Sequence, residues 1–167
     1  ELKGLTDEVR FSVVDITEER DPHILSLTGG STALPVLELE DGRSLEESMV
    51  LLSYLEDRYP DPPVRRSDPY ERAIEELMVS SEGPFTASGY LLVMNQERSK
   101  RDALVQRYLD EHAKLDAFLR RHGTGKGPWL FDRFGWAETV YTPFFRRFAF
   151  VDYYEGVDLP EDDDAFA

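Results

Sequence analysis

A change of hydrophobic periodicity in the first third of the chain most constrains its fold. In "PVLELEDGRSL", Leu37 and Leu39 share one face of a strand while glutamates occupy the other, and Asp41 and Gly42 are typical of a tight hairpin turn. Over residues 46–59 the apolar positions recur instead at helical spacing. The sequence therefore predicts a β-hairpin that leads directly into a helix.

Composition and proline content divide the chain into two predicted parts. The β-branched residues of "VRFSVVDI" predict a further strand over Val9 to Ile16, ahead of the hairpin. The proline-rich "PDPPVRRS" is typical of a stiff linker, and the chain beyond it has only helical periodicity. We predict an α/β domain over residues 1–60, a linker over residues 61–67 and an all-helical domain over residues 68–167.

The predicted helical domain has clear start and stop signals. Ser67 or Asp68 can cap the first helix, with Pro69 in its first turn, and its predicted buried stripe is Ala73, Ile74, Leu77 and Met78. Gly83 and Pro84 predict a kink or an end, and further helices are expected over residues 85–97 and 99–122. The aromatic segment "WAETVYTPFFRRFAF" is predicted to form the central helix of this domain.

Composition excludes several classes of function. The chain has 34 acidic and 19 basic residues and a formal charge of -15, so nucleic acid and anionic membrane surfaces are not expected partners. No apolar run is long enough to span a membrane and no signal peptide is recognisable, which predicts a cytoplasmic protein. There is no cysteine, and His23, His112 and His122 lack metal-ligand spacing, so no metal is expected. His112 and His122 are predicted to be exposed.

The order of these features resembles that of the glutathione S-transferase family. The resemblance rests on "LPVL" from Leu34, the Asp-Gly turn, Glu47 and Ser48 at a helix start, and "YLEDRYP" over residues 54–60. The later "FGWAE" and "TPFFRRF" segments are most similar to those of bacterial, omega-like members. The resemblance implies a thioredoxin-like N-terminal domain followed by a helical C-terminal domain. It also implies that the N-terminal domain is incomplete, because the family's first strand and helix have no counterpart in the sequence.

The resemblance further implies a function and a site. Members bind glutathione as a co-substrate and transfer its thiol to an electrophilic small molecule or exchange it with a disulfide, usually as homodimers. By resemblance, Leu34 pairs its backbone with the cysteinyl part of glutathione and Pro35 is cis. Glu47 then faces the ligand's ammonium, while Ser48 and the helix start hold its carboxylate. The thiol-activating Tyr, Ser or Cys of the family has no counterpart here, so no catalytic residue is assigned.

Simpler interpretations of the same residues remain open from sequence alone. Ser48 can serve only as a helix cap, Glu47 only to complement the helix dipole, and Pro35 only to begin a strand. Arg20 is either a solvated loop charge or a contact for the glycine end of glutathione. At the start of the central helix the family has Ser or Thr where this chain has Gly135, which predicts a helix start that is weaker or differently held. A non-catalytic, transferase-like binding or scaffold module is the alternative function.

Overall fold

The computed structural model describes residues 3–147 and 149–157, and it divides into the units Glu1–Val64 and Arg65–Ala167. We describe each unit by itself. The end of the predicted helical domain, residues 158–167, lies outside the described residues.

The first unit is built around the predicted hairpin. Its elements are α1 (Pro22–Leu27), β1 (Val36–Glu38), β2 (Ser44–Glu46) and α2 (Ser48–Arg58). β1 and β2 are antiparallel, and the turn between them uses Gly42 at a φ of 83°, a conformation that glycine adopts without steric cost. The Ser44 hydroxyl donates to the carbonyl oxygen of Leu27 over 2.7 Å. This bond connects the end of α1 to the hairpin.

The predicted strand from Val9 to Ile16 does not form. In this segment Phe11 is 80 % exposed and Val13 is fully exposed, and no ladder includes either residue. A strand is stable only when its backbone N–H and C=O groups find partners on a neighbouring strand. Among the described residues the one sheet is the β1–β2 pair, which leaves these β-branched residues without a partner.

A buried ion pair stabilises the end of the first unit. The ammonium of Lys3 lies 2.7 Å from the Glu56 carboxylate, and both side chains are about nine-tenths buried. Lys3 also donates to the carbonyl oxygens of Tyr59 and Pro62, and Glu56 accepts the backbone N–H of Val64 over 3.0 Å. The proline-rich segment is therefore held against α2 by specific bonds.

The second unit consists of helices, as predicted. They are α3 (Pro69–Ser80), α4 (Glu82–Val93), a 3-10 turn (Arg98–Lys100), α5 (Arg101–His122), α6 (Trp136–Phe145) and α7 (Ala149–Glu155). Of the two predicted cap candidates, Asp68 caps α3 by accepting the backbone N–H of Glu71 over 2.9 Å. The predicted break between α3 and α4 falls at Ser81, just ahead of Gly83 and Pro84. The buried core comprises Ile74, Met78, Phe85, Leu92, Tyr108, Leu115, Leu130, Phe131, Ala137, Tyr141, Phe144 and Val151.

Three burial predictions for this unit are wrong. Ala73 and Leu77 were expected in the core, but Ala73 is exposed and Leu77 is 53 % exposed, because the α3 stripe that faces the core is narrower than the apolar pattern. His112 was expected at the surface but is 2 % exposed. Its Nδ1 lies 2.9 Å from the carbonyl oxygen of Tyr108 and its ring packs against Phe85. Burial lowers the pKa of His112, so the ring is held neutral as part of the core.

The start of α6 is held by carboxylates rather than by a hydroxyl cap. One Glu138 oxygen accepts the N–H of Gly135 over 2.8 Å, and the other accepts the N–H of Leu130 over 2.7 Å. The Glu75 carboxylate accepts the N–H of Trp136 over 2.9 Å. Because the first-turn N–H groups of a helix have no acceptor within the helix, these bonds satisfy donors that would otherwise be unpaired.

Glu75 also belongs to a buried cluster with Arg66. Arg66 Nε lies 3.3 Å from a Glu75 oxygen, and the same guanidinium donates to Asp132 and to the carbonyl oxygen of Arg133. A Cβ on Gly135 would collide with the Glu75 carboxylate and lie 3.1 Å from Arg66 Nη2, so any side chain there would force the Glu75 and Arg66 side chains to move. Burial raises the pKa of Glu75, although the Trp136 N–H and the Arg66 charge oppose that shift.

Candidate functional site

The hairpin brings the two segments predicted to bind the ligand, residues 34–35 and residues 47–48, to one end of the sheet. The pairing runs Val36 with Glu46, Leu37 with Leu45 and Glu38 with Ser44. Pro35 immediately precedes the first of these pairs and Glu47 immediately follows it. Opposed Cα atoms in an antiparallel ladder lie about 5 Å apart, so the two segments leave the sheet side by side.

The second segment forms the N-terminus of α2. Glu47 is the N-cap residue, with φ 68° and ψ 117°, and its side chain makes no capping hydrogen bond. Ser48 is the first helical residue, so the interpretation of Ser48 as the cap does not hold. Residues 47–50 are exposed. The N–H groups of the first helical turn have no acceptor within the helix, and their partial positive charge therefore faces solvent here.

The backbone of Glu47 adopts a conformation that a residue with a side chain rarely takes. Glu47 is the one non-glycine residue with positive φ in the described chain. Such a conformation costs on the order of 1–3 kcal/mol and persists where the surroundings impose it. Strain of this kind is concentrated at ligand-binding positions, so its location at the helix start supports a binding role for this residue.

The first segment offers unpaired backbone groups. Leu34 is 39 % exposed, Pro35 is exposed and the peptide bond between them is cis, as the resemblance implies. Within residues 3–147 and 149–157, neither the N–H nor the C=O of Leu34 has a hydrogen-bond partner. A donor and an acceptor of one residue are therefore available next to the exposed helix start.

Arg20 adds a positive charge, and the sequence alone left open whether it contacts the ligand or only solvent. Its Nη2 donates to the carbonyl oxygen of Thr32 over 3.1 Å, two residues before Leu34 in the chain. Its Nε and Nη1 are buried and have no partner in the described part of the chain. A guanidinium presents its donors in a fork that matches a carboxylate. Burial without partners therefore identifies Arg20 as a candidate anion contact, a signal that no sequence pattern carries.

Together these groups suit a ligand that carries both a positive and a negative charge. Glu47 is a carboxylate that can face an ammonium, while the helix N-terminus, the Ser48 hydroxyl and Arg20 can each receive a carboxylate. The unpaired backbone of Leu34 can pair with an extended peptide, as an added strand would. The arrangement is therefore suited to a short peptide with zwitterionic character.

The described residues contain neither a metal centre nor a membrane span. No group of three or more His, Asp or Glu side chains within them is placed to hold a metal ion. None of the helices in the same residues is long and apolar enough to cross a bilayer.

Comparison with known proteins identifies the family. The sequence profile described as "Glutathione S-transferase, N-terminal domain" matches residues 1–63. The chain is 23 % identical over 154 residues to glutathione S-transferase omega-1 of Sus scrofa, covering 90 % of this chain and 61 % of that protein. It is 31 % identical over 128 residues to glutathione S-transferase U7 of Arabidopsis thaliana, covering 75 % of this chain and 52 % of that protein. The chain belongs to the glutathione S-transferase family.

A solved structure confirms the fold class. The tau class glutathione S-transferase of mango, Mangifera indica, superposes with a TM-score of 0.81 at 17 % identity, over 98 % of this chain and 76 % of that one. The predicted thioredoxin-like domain followed by a helical transferase domain is therefore correct. The chain spans between half and two thirds of the length of the curated transferases it matches. Because these matches include both omega and tau types, the bacterial, omega-like subclass stays a prediction.

Proposed function

We propose that this protein is a glutathione S-transferase that binds glutathione at the hairpin end described above. The γ-glutamyl carboxylate is received by the Ser48 hydroxyl and the first amides of α2, and its ammonium is paired with Glu47. The N–H and C=O of Leu34, just before Pro35, bond the cysteinyl backbone. Arg20 receives the glycine carboxylate.

One observation carries this proposal. The register of β1 and β2 ends with Val36 opposite Glu46, which brings the unpaired Leu34 backbone and the exposed start of α2 together. Ligand recognition needs both groups at once, because glutathione is a tripeptide whose backbone and charged ends must be bound together. A hairpin with another register would place them on different faces or at different levels.

The proposed reaction uses the thiol of the bound glutathione. The thiolate sulfur attacks an electrophilic carbon, a carbon–sulfur bond forms and the leaving group departs with the electron pair. With a disulfide substrate, the thiolate forms a mixed disulfide and releases the other thiol. We further propose a cytoplasmic homodimer with no metal, in which the helical domain shapes the pocket for the second substrate.

Calorimetric titration of the full-length protein with glutathione tests the proposal. We expect saturable binding in the native protein and a loss of about ten- to a hundredfold in affinity in the Glu47→Ala, Ser48→Ala double variant, since an exposed ion pair and one hydrogen bond to a carboxylate are removed. A matched control is Glu46→Ala, which removes a carboxylate one residue earlier, within β2. An undiminished affinity in the double variant would contradict the proposed site.

A thiol-conjugation assay on the same samples then tests turnover. The transferase proposal predicts glutathione-dependent consumption of a chromogenic electrophile or a small disulfide, reduced in the double variant. Binding without turnover of either substrate would instead support the non-catalytic binding module. Neither outcome depends on which residue activates the thiol.

A further inference from the structure

The short helix α1 lies against the hairpin with little burial of its own. Each residue of Pro22–Leu27 is exposed or half-buried, and none of these six residues is buried. An isolated helix in water needs roughly 12–15 residues before it is even marginally stable. The position of α1 therefore depends on specific contacts with the rest of the first unit.

A polar contact at each end joins α1 to the hairpin. Near its start, His23 Nε2 lies 2.9 Å from the Glu38 carboxylate of β1. At its end, the carbonyl oxygen of Leu27 accepts the hydroxyl of Ser44 on β2. Glu38 and Ser44 are directly opposed in the ladder. Both ends of α1 are thus attached to one cross-strand pair, and loss of either contact leaves the helix free to turn about the other.

The end of α1 that His23 attaches is also the end that carries Arg20. Asp21 lies between Arg20 and α1, and its carboxylate caps the helix by accepting the N–H of His23 over 2.7 Å. The bond from Arg20 to the carbonyl oxygen of Thr32 closes the segment of residues 20–32 on itself. That bond moves with the segment, so the position of Arg20 on the hairpin follows the contact that His23 makes.

We propose that His23 and Glu38 are positioning residues for glutathione: their bond holds the start of α1 on β1 and so keeps Arg20 where it receives the glycine carboxylate. The role of Arg20 comes from the proposed function, on which this inference therefore rests. The pair acts through Arg20 and does not itself hold the ligand.

The charge on His23 makes this contact sensitive to pH. The hydrogen bond to Glu38 and the charge of that carboxylate raise the pKa of His23; desolvation opposes the rise and the Asp21 charge adds to it. Arg43, in the neighbouring turn, is paired with Asp41 over 2.7 Å. A neutral His23 ring can still donate to Glu38, but the attraction between opposite charges is lost. The two side chains are 59 % and 45 % exposed, so solvent screens this attraction, and its loss should weaken glutathione by no more than about fivefold.

Calorimetric titration of the full-length protein with glutathione, over a range of pH that spans the His23 pKa, tests the positioning role. The dissociation constant of the native protein should rise about two- to fivefold as pH rises through that pKa, which NMR measures on the same samples. Glu38→Gln should lack this step. Glu40→Gln, which removes an exposed carboxylate two residues later, should retain it. Titration of the ligand is common to all these proteins, so identical profiles in the native protein and Glu38→Gln would overturn the proposal.

Two further variants separate positioning from a merely structural role. His23→Lys keeps its positive charge across this range of pH and should hold the affinity at its low-pH value throughout. In Arg20→Ala the step should disappear, since no guanidinium remains to be positioned. A step that persists in Arg20→Ala, or one that survives in His23→Lys, would refute the role.

The same titrations distinguish failure of this role from failure of the proposed function. Absence of saturable glutathione binding at every pH would overturn both. Binding that the Glu47→Ala, Ser48→Ala variant loses, with the same pH profile in the native protein and Glu38→Gln, would overturn the role of His23 and Glu38 alone.

Discussion

Replacement of Glu47 by glycine is expected to stabilise the protein and weaken glutathione binding at the same time. Glu47 has a φ of 68° and a ψ of 117°, where a side chain clashes with its own backbone. Relief of this strain is worth on the order of 1–3 kcal/mol. The greater freedom of glycine in the unfolded chain costs about 0.5–1 kcal/mol. The free energy of unfolding of Glu47→Gly should therefore rise by about 1 kcal/mol.

The Glu47→Ala variant separates the backbone from the side chain. Alanine keeps the Cβ and hence the strain, while it removes a carboxylate that is exposed and makes no capping bond. Its free energy of unfolding should stay within about 0.5 kcal/mol of the native value. Both variants should lose affinity for glutathione by a similar factor, because both lose the partner of its ammonium.

Urea unfolding and calorimetry of the three proteins measure both quantities. The expected order of stability places Glu47→Gly above the native protein and above Glu47→Ala. If glycine were instead the least stable of the three, the backbone of Glu47 would not be strained and the functional argument drawn from that strain would fail.

Three further predictions concern the carboxylates. Gly135→Ala should lower the free energy of unfolding by about 3 kcal/mol or more, since its Cβ displaces Glu75 from Arg66. Urea unfolding measures this change, and a near-neutral result would contradict the close approach of Glu75 to Gly135. Burial raises the pKa of Glu75 above its unfolded value, so ionisation of Glu75 disfavours folding. The stability of the native protein relative to Glu75→Gln should therefore rise as pH is lowered through that raised pKa, and a fall would mean that attraction to Arg66 outweighs burial. The Glu38 carboxylate raises the pKa of His23. The bond between them therefore stabilises the fold while His23 is protonated, and this contribution is lost as pH rises through the His23 pKa. NMR titration of Glu38→Gln should show a lower His23 pKa.

The hairpin and its helix were predictable because their signals are local. Alternation at Leu37 and Leu39, the turn at Gly42 and the change of period after it all act within a few residues. The juxtaposition of Leu34 with Ser48 then follows from the register. The proposed site could therefore be located from sequence and family order together.

The remaining features depend on partners that are distant in sequence. The strand predicted around Val13 fails because pairing requires a neighbour that local pattern cannot supply. His112 is buried because Phe85 and the Tyr108 carbonyl face it, although its own helix is highly charged. The unpaired nitrogens of Arg20 likewise become visible only when the loop around them is folded.

Amide NMR titration of the full-length protein with glutathione tests the central claim most directly. The account predicts saturable shifts concentrated at the end of the hairpin, in Leu34 and in residues 47–50, with smaller effects in the rest of the chain. It also predicts that these shifts disappear in the Glu47→Ala, Ser48→Ala variant at the same glutathione concentration. Saturable shifts concentrated elsewhere, or their persistence in the variant, would contradict the assignment of this hairpin end as the glutathione site.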